Sequence, residues 1–334
     1  MTKILDKPIT TVSAWMGEDM RTTDAMDEWI HVLSAAEIAD LDTALRGVQQ
    51  RGLEMADVTK DDFPLPVLAP FLAMLEKEVR TGRGFYLLRG IPVEKYTDDE
   101  VFLIKWGIGT HLGTKVSQNA FGELLGHVYD YQRDPSDVRT RGYQTNTRLL
   151  FHVDRADMTS LLCLRKAKQG GMSQIVSSAS VYNKILAEHP EYLPPLYEGV
   201  PYIFIEEVGE MRSWKEPVFS VTDNVLNCSI RRNTVQKAID SNTVPFSDFE
   251  LEALHYFDGV ADDPAFVLEM DMEPGDIQFV NNYTIMHGRS AFVDFAEVEK
   301  RRHVVRLWLK FFTPRPTADY IRVQYNGIEK KADR

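Results

Sequence analysis

Three early stretches carry apolar residues at helical spacing. In 34–51, Leu41, Leu45 and Val48 recur every three or four positions, Ser34 stands where an N-cap belongs, and Glu37 follows as its capping-box partner. A second helix is expected over 65–80, ending near Gly82, and a third over 98–112. Between them Gly84 and Gly90 bracket Phe85-Tyr86-Leu87-Leu88, which reads as a short buried strand. Downstream the pattern changes to short apolar runs. Residues 161–164, 172–177, 200–232 and 277–279 read as β, the last after a Pro274-Gly275-Asp276 turn. Two more helices interrupt them: 181–189, capped by Ser178 or Ser180 and stopped before Pro190, and 246–259, with Ser247 as N-cap and Glu250 as its partner. In 302–312 the alternation assigns faces. His303, Val305, Leu307, Leu309 and Phe311 form an apolar face, and Arg302, Val304, Arg306 and Trp308 form the other. A strand covered on one side and lining a pocket on the other has this pattern.

The remaining segments complete the outline. Residues 1–34 set Trp15 and Trp29 among acids and read as extended chain packed on the body, so 1–80 forms an N-terminal helical and extended packing segment. Residues 113–148 hold few regular signals and many polar groups. A loop of that length in a compact domain usually serves function, and it is expected to cover an active site. Residues 313–334, with Pro314, Pro316 and several charges, read as a surface tail. Gly107, Gly109 and Gly113 follow a helix rather than a strand, so they end that helix and do not build a dinucleotide loop. With no repeat or low-complexity tract, 1–334 is expected to be one domain, mainly β with flanking helices.

Composition narrows the partners. The chain has 334 residues, 44% hydrophobic and 26% charged, an ordinary soluble balance. A formal net charge of -12 and a pI near 5.2 argue against nucleic acid and anionic membranes as partners. A small anionic substrate stays open, because a local pocket can be basic. Cys163 and Cys228 make no disulfide framework, and a reducing, cytoplasmic setting is expected. The first residues mix Lys3, Asp6, Lys7 and Pro8 into their apolar positions and do not read as a signal peptide; no apolar run has the length of a membrane span. The sequence leaves room for a homo-oligomer.

The chemistry gathers around Leu149-Leu150-Phe151-His152-Val153-Asp154, an apolar run that suddenly carries an imidazole and a carboxylate. On a strand His152 and Asp154 project together, with Val153 turned away. They offer a mixed nitrogen and oxygen site for a divalent metal, and two histidines with one carboxylate is the ligand set of non-heme Fe(II) oxygenases. A third ligand must come from elsewhere. His287, beyond the 277–279 strand and beside Gly288, which allows close approach of a ligand, fits best. The other histidines, including His127 and His303, read as structural or exposed, Cys163 reads as core, and Arg289 is either a surface charge or a site residue.

Four motifs in this order resemble the Fe(II)/2-oxoglutarate dioxygenases of the taurine dioxygenase (TauD/TfdA) family, a branch of the clavaminate synthase-like superfamily. They are His152-Val153-Asp154, Gly170-Gly171-Met172-Ser173, His287-Gly288-Arg289 and Arg302-His303-Val304-Val305-Arg306, and the likeness spans about residues 80–312. It implies a double-stranded β-helix (jelly roll, cupin-like) core with the metal at its mouth. It implies that His152, Asp154 and His287 hold Fe(II), that Arg302 and Ser173 take the distal carboxylate of 2-oxoglutarate, and that Arg306 faces the substrate or the keto-acid head group. Ser173 stands where the family often has Thr, which keeps the hydroxyl donor and loses a methyl. The implied reaction consumes O2, releases succinate and CO2, and oxidises, most simply hydroxylates, a C–H bond of a small molecule that Arg306 suggests bears a carboxylate. Asp154 argues against halogenation, because the related halogenases replace this carboxylate with a small residue.

Two other functions use the same residues. A Zn-dependent hydrolase would use the triad but leaves Arg302 with Ser173 unexplained. A non-catalytic jelly-roll binding protein leaves the intact triad unexplained. The sequence names neither the prime substrate nor the outcome among hydroxylation, desaturation, cyclisation and demethylation.

Overall fold

In the computed structural model, which describes residues 4–135, 137, 139–205, 211–242 and 244–331, the strands form two main sheets. The larger runs in the order Ile30–Val32, Phe85–Arg89, Ile277–Asn281, Met158–Arg165 and His303–Lys310. Its last strand pairs on with both Thr114–Lys115 and Leu125–Val128. The smaller runs Leu268–Met270, Ser173–Ser177, Ile285–Arg289 and Leu149–His152. Pairing is antiparallel except between Ile30–Val32 and Phe85–Arg89. Neighbours in space are distant in sequence, and the two sheets make the jelly-roll core that the motifs imply.

Side-chain alternation divides the interior. At one end Phe85, Leu87 and Val280 of the larger sheet meet Ile175, Ile285 and Leu268 of the smaller, and Trp15 and Trp29 pack into the same cluster. Those tryptophans bring the N-terminal segment against the body, though Trp29 does so at the end of a helix, Thr23–Trp29, rather than on extended chain as expected. Polar groups occupy the other end, where the same faces carry Arg302, Arg306, Ser173 and His287. The opposite face of His303–Lys310 puts Val305, Leu307 and Leu309 into the main apolar cluster with Ile104 and Ile108 of helix Asp98–Leu112. A further apolar cluster joins Trp308 and Ala156 to Ile328.

Most elements form for the expected reasons. Helix Ala35–Arg51 has the Ser34/Glu37 capping box, and Asp248–Asp262 has the Ser247/Glu250 box. The second helix starts later than expected, at Ala69–Thr81, because Pro66 biases Leu65 away from the helical region and Pro70 suits a first turn. Helix Ser178–Glu188 is capped by Ser177, not by either serine after it: the Ser177 hydroxyl accepts from the Ser180 N–H.

Three expectations need correction. The 113–148 stretch is not a continuous loop, since Thr114–Lys115 and Leu125–Val128 extend the larger sheet, leaving 139–149 as its part nearest the site. The 200–232 region divides into strands Val200–Ile205, Met211–Glu216, Phe219–Thr222 and Val225–Cys228, and an unforeseen helix, Arg232–Ser241, follows. Its part at 206–210 lies outside the described residues, as do the chain ends at 1–3 and 332–334. The tail is not a surface tail. Helix Asp319–Gln324 and the turn after it bury Ile321, Tyr325 and Ile328, which are 1%, 0% and 5% exposed. Among the described residues no helix is long and apolar enough to cross a membrane.

Candidate active site

His152 ends its strand and His287 lies in the middle of the neighbouring one, and the two are cross-strand partners. Their rings are 4.3 Å apart between centroids. Asp154 follows two residues after the first strand ends. Its backbone N–H donates to Asn282 Oδ1 at 3.0 Å, which fixes the turn. Its Oδ1 lies 4.0 Å from His152 Nε2 and its Oδ2 3.5 Å from His287 Nε2. One donor atom from each of the three residues falls within 4.8 Å of the others. The sequence placed Gly288 here for close approach of a ligand. In the structure it lines a cavity beside His287 and also serves the sheet. A side chain there would meet the Leu149 carbonyl oxygen at 2.9 Å, so the glycine lets the two ligand-bearing strands pair.

The surroundings orient these groups. His152 Nδ1 lies 2.9 Å from the Leu150 carbonyl oxygen, a contact that puts the ring proton on Nδ1 and leaves the Nε2 lone pair facing Asp154 and His287. Burial first, and then the neighbouring His287, pulls the His152 pKa down to about 3, so the ring is neutral as a ligand must be. Burial alone would raise the Asp154 carboxyl. Arg306 and then His287 hold it well below the usual carboxylate range. Thr159 Oγ1 and Trp308 Nε1 each donate to Asp154 Oδ2 at 2.8 Å, and Arg306 Nη1 stands 3.3 Å from Oδ1. Arg306 Nε donates to Gln118 Oε1 at 2.7 Å. Arg306 therefore faces the carboxylate of the triad, a partner from a distant turn, and its side chain also lines the cavities on both sides of it.

Two cavities meet at the triad. One of about 70 Å3 lies between the sheets and is lined by His287, Ser173, Arg289, Arg302 and Leu161 among others. Arg302 is 9% exposed, and its Nη1 has no acceptor among the described residues. Burial lowers its pKa, the mark of a guanidinium held out of water. Gly171, at φ +75°, packs under it: a Cβ there would lie 3.1 Å from Arg302 Nε. Ser173 Oγ donates to Gln278 Oε1 at 3.0 Å and also lines this chamber. A buried arginine with an unanswered donor, a hydroxyl and two imidazoles fit a carboxylate-bearing chelator. Arg289 is no surface charge. It is 4% exposed, and burial, with Arg302 second, brings its pKa down to about 9.

The second cavity, about 160 Å3, opens on the other side of His152 and Asp154. Among the described residues its wall carries six cationic side chains, Arg139, Arg141, Arg155, Arg231, Lys237 and Arg306, against the single acid Asp154. Glu216 accepts from Arg231 Nη2 at 2.8 and 2.9 Å. Ile328, from the supposed surface tail, closes part of this wall. The tail residues had a detectable signal, since Ile321, Tyr325 and Ile328 stand at helical i, i+4, i+7 spacing.

Comparison with known proteins points to the family that the motifs resemble. Residues 49–308 match the model of the "Taurine catabolism dioxygenase TauD, TfdA family". The chain is 33% identical over 318 residues to FR-33289 synthase of Streptomyces rubellomurinus, covering 92% of each. It is 28% identical over 305 residues to the taurine hydroxylase-like protein SAT17 of Stachybotrys chartarum, covering 88% of this chain and 77% of that one. Among solved structures, asparagine oxygenase in complex with Fe(II), 3-hydroxyasparagine and succinate superposes with a TM-score of 0.65, at 16% identity, over 84% of this chain and 93% of that one.

Proposed function

Since the chain belongs to the TauD/TfdA family of dioxygenases, we propose that His152, Asp154 and His287 hold its Fe(II), that Arg302 and Ser173 receive the distal carboxylate of 2-oxoglutarate, and that a small anionic substrate is hydroxylated in the cation-lined cavity. The chain is an Fe(II)- and 2-oxoglutarate-dependent oxygenase that acts on small molecules. Iron, with 2-oxoglutarate and O2, supplies the oxidising chemistry, in which the keto acid becomes succinate and CO2 and a substrate C–H bond is oxidised. The protein's residues supply binding and orientation. The Leu150 carbonyl fixes the His152 tautomer, and Arg306, Trp308 and Thr159 hold Asp154 ionised. Tyr143 lines both cavities.

The observation that carries the residue assignment is the position of Arg302. A buried, unanswered guanidinium sits in the chamber that also holds His287, so a chelating keto acid can reach both. A Zn-dependent hydrolase has no use for it, and a non-catalytic binding protein has no use for three convergent metal donors. The case for an anionic substrate, which the sequence rested on Arg306, now rests on Arg139, Arg141 and Lys237. A carboxylate is the simplest such group. The cytoplasmic setting is part of the same proposal and is supported by two buried free cysteines. The test is to measure succinate release by the Fe(II) protein across a panel of small anions, with mass spectrometry of products formed under 18O2. The reading requires a product one labelled oxygen heavier, dependent on Fe(II) and 2-oxoglutarate; turnover with Zn2+ and no keto acid would overturn it.

A further inference from the structure

Arg289 has no role in the assignment above, yet it occupies the same chamber as Arg302. Period-2 alternation along Ile285–Arg289 puts Arg289 on the face of His287, and its register partner on the next strand is Ser173. Its guanidinium carbon lies 4.6 Å from the centre of the Phe292 ring, and that of Arg302 lies 5.2 Å from the same ring. Arg289 Nη2 donates to the carbonyl oxygens of Thr145, at 2.9 Å, and Thr147. Its Nε and Nη1, together with Arg302 Nη1, are buried donors with no acceptor among the described residues. The nearby Asp294 hydrogen-bonds none of them: its Oδ1 accepts from the Arg302 backbone N–H at 2.7 Å, and its Oδ2 is likewise buried without a partner among the described residues. Two desolvated guanidiniums beside one ring, with three donors unanswered, form a site for an anion with more than one acceptor oxygen. One arm of Arg289 meanwhile holds the segment that continues into the substrate-cavity wall at Tyr143 and Leu149.

We propose that Arg289 is a second anchor for the distal carboxylate of the keto acid, and that keto-acid binding through it stiffens the 142–149 wall of the substrate cavity. This rests on the assignment of that chamber to 2-oxoglutarate. Binding of the cosubstrate then prepares the wall that the prime substrate meets, so the keto acid and the substrate bind with positive coupling.

The experiment titrates 2-oxoglutarate calorimetrically into the anaerobic Fe(II) protein, as wild type, Arg289→Gln, Arg289→Lys and Arg302→Gln, with Fe(II) affinity measured alongside. Hydrogen exchange of 142–149 is followed in the wild type with saturating 2-oxoglutarate and with 2-oxobutyrate, which lacks the distal carboxylate. Arg289→Gln is expected to weaken 2-oxoglutarate binding about ten- to hundredfold, the loss that goes with one charge-assisted contact, while Fe(II) affinity holds. Arg289→Lys, which keeps the charge, should recover part of that loss. In the wild type 2-oxoglutarate should slow exchange in 142–149 and 2-oxobutyrate should not. Wild-type keto-acid affinity in Arg289→Gln with a loss in Arg302→Gln would overturn the second anchor and leave the chamber assignment standing. No loss in either variant would overturn the chamber assignment itself. Should Arg289→Gln fail to fold, the exchange experiment decides alone: equal protection by both keto acids, or by neither, overturns the proposal.

Discussion

Replacing Arg306 by Met tests whether this residue serves the metal ligand rather than a bound anion. Methionine keeps an apolar stem between Tyr143 and Trp308, whose rings lie 5.2 and 4.7 Å from the guanidinium carbon, and removes the charge. Asp154, 6% exposed, loses its cationic neighbour but keeps the Trp308 and Thr159 donors. Breaking a buried ion pair from one side costs roughly 3–5 kcal/mol, and the two surviving donors favour the lower end, so the metal-free variant should be less stable by about 3 kcal/mol at pH 7. The pH dependence follows with a definite sign. In the wild type the depressed Asp154 carboxyl contributes stability above its unfolded value, and that contribution is lost as pH falls through the folded pKa. Without Arg306, burial dominates and the carboxyl takes up its proton at higher pH. The gap between the proteins should then narrow by about 1.4 kcal/mol per pH unit below the variant's pKa. Urea denaturation of both metal-free proteins from pH 7 down to about 4.5 measures it. A divalent cation should also narrow the gap, since it replaces the missing positive charge. A gap under about 1 kcal/mol that ignores pH, with the loss appearing in substrate affinity, would refute the reasoning and return Arg306 to a ligand-binding role.

Other expectations follow from the same contacts. His152→Ala and His287→Ala should abolish Fe(II) binding in anaerobic calorimetry and leave the metal-free fold intact by circular dichroism. Asp154→Ala should also lose iron and cost stability besides, because it leaves Arg306 buried without its partner. Tyr325→Ala, which removes a fully buried ring stacked 4.9 Å from Tyr283, should cost about 3–5 kcal/mol in denaturant titration and disturb the Ile328 wall. Arg141→Gln combined with Lys237→Gln should raise KM for the anionic substrate roughly tenfold in steady-state assays, with little change in KM for 2-oxoglutarate.

The sequence exposed the parts of the site that need particular residue types. His152 and Asp154 stand two apart in an apolar run, and no packing argument requires either. The alternation in 302–312 correctly put Arg302 and Arg306 on the pocket face. It could not tell them apart, because alternation fixes a face and not what lies opposite. Asp154 comes from a distant turn and claims Arg306, while Arg302 keeps an unanswered donor. Arg289 remained undecided for the same reason, since its burial depends on strands far away in sequence. The tail misled through composition: Pro314, Pro316 and the charges outweighed the helical spacing of Ile321, Tyr325 and Ile328. The Ser177 cap was missed because three serines in four positions could each accept from the first turn, and the strand before them sets which one does.

The central claim is that one iron sits among His152, Asp154 and His287 with the keto acid reaching back to Arg302. A crystal of the protein loaded anaerobically with Fe(II) and 2-oxoglutarate, with anomalous data collected at the iron edge, tests it most directly. The account predicts one anomalous peak bound by Nε2 of both histidines and a carboxylate oxygen of Asp154, with the distal carboxylate of the keto acid on Arg302. Iron held by other residues, or 2-oxoglutarate lying in the Arg141 and Lys237 cavity instead, would contradict it.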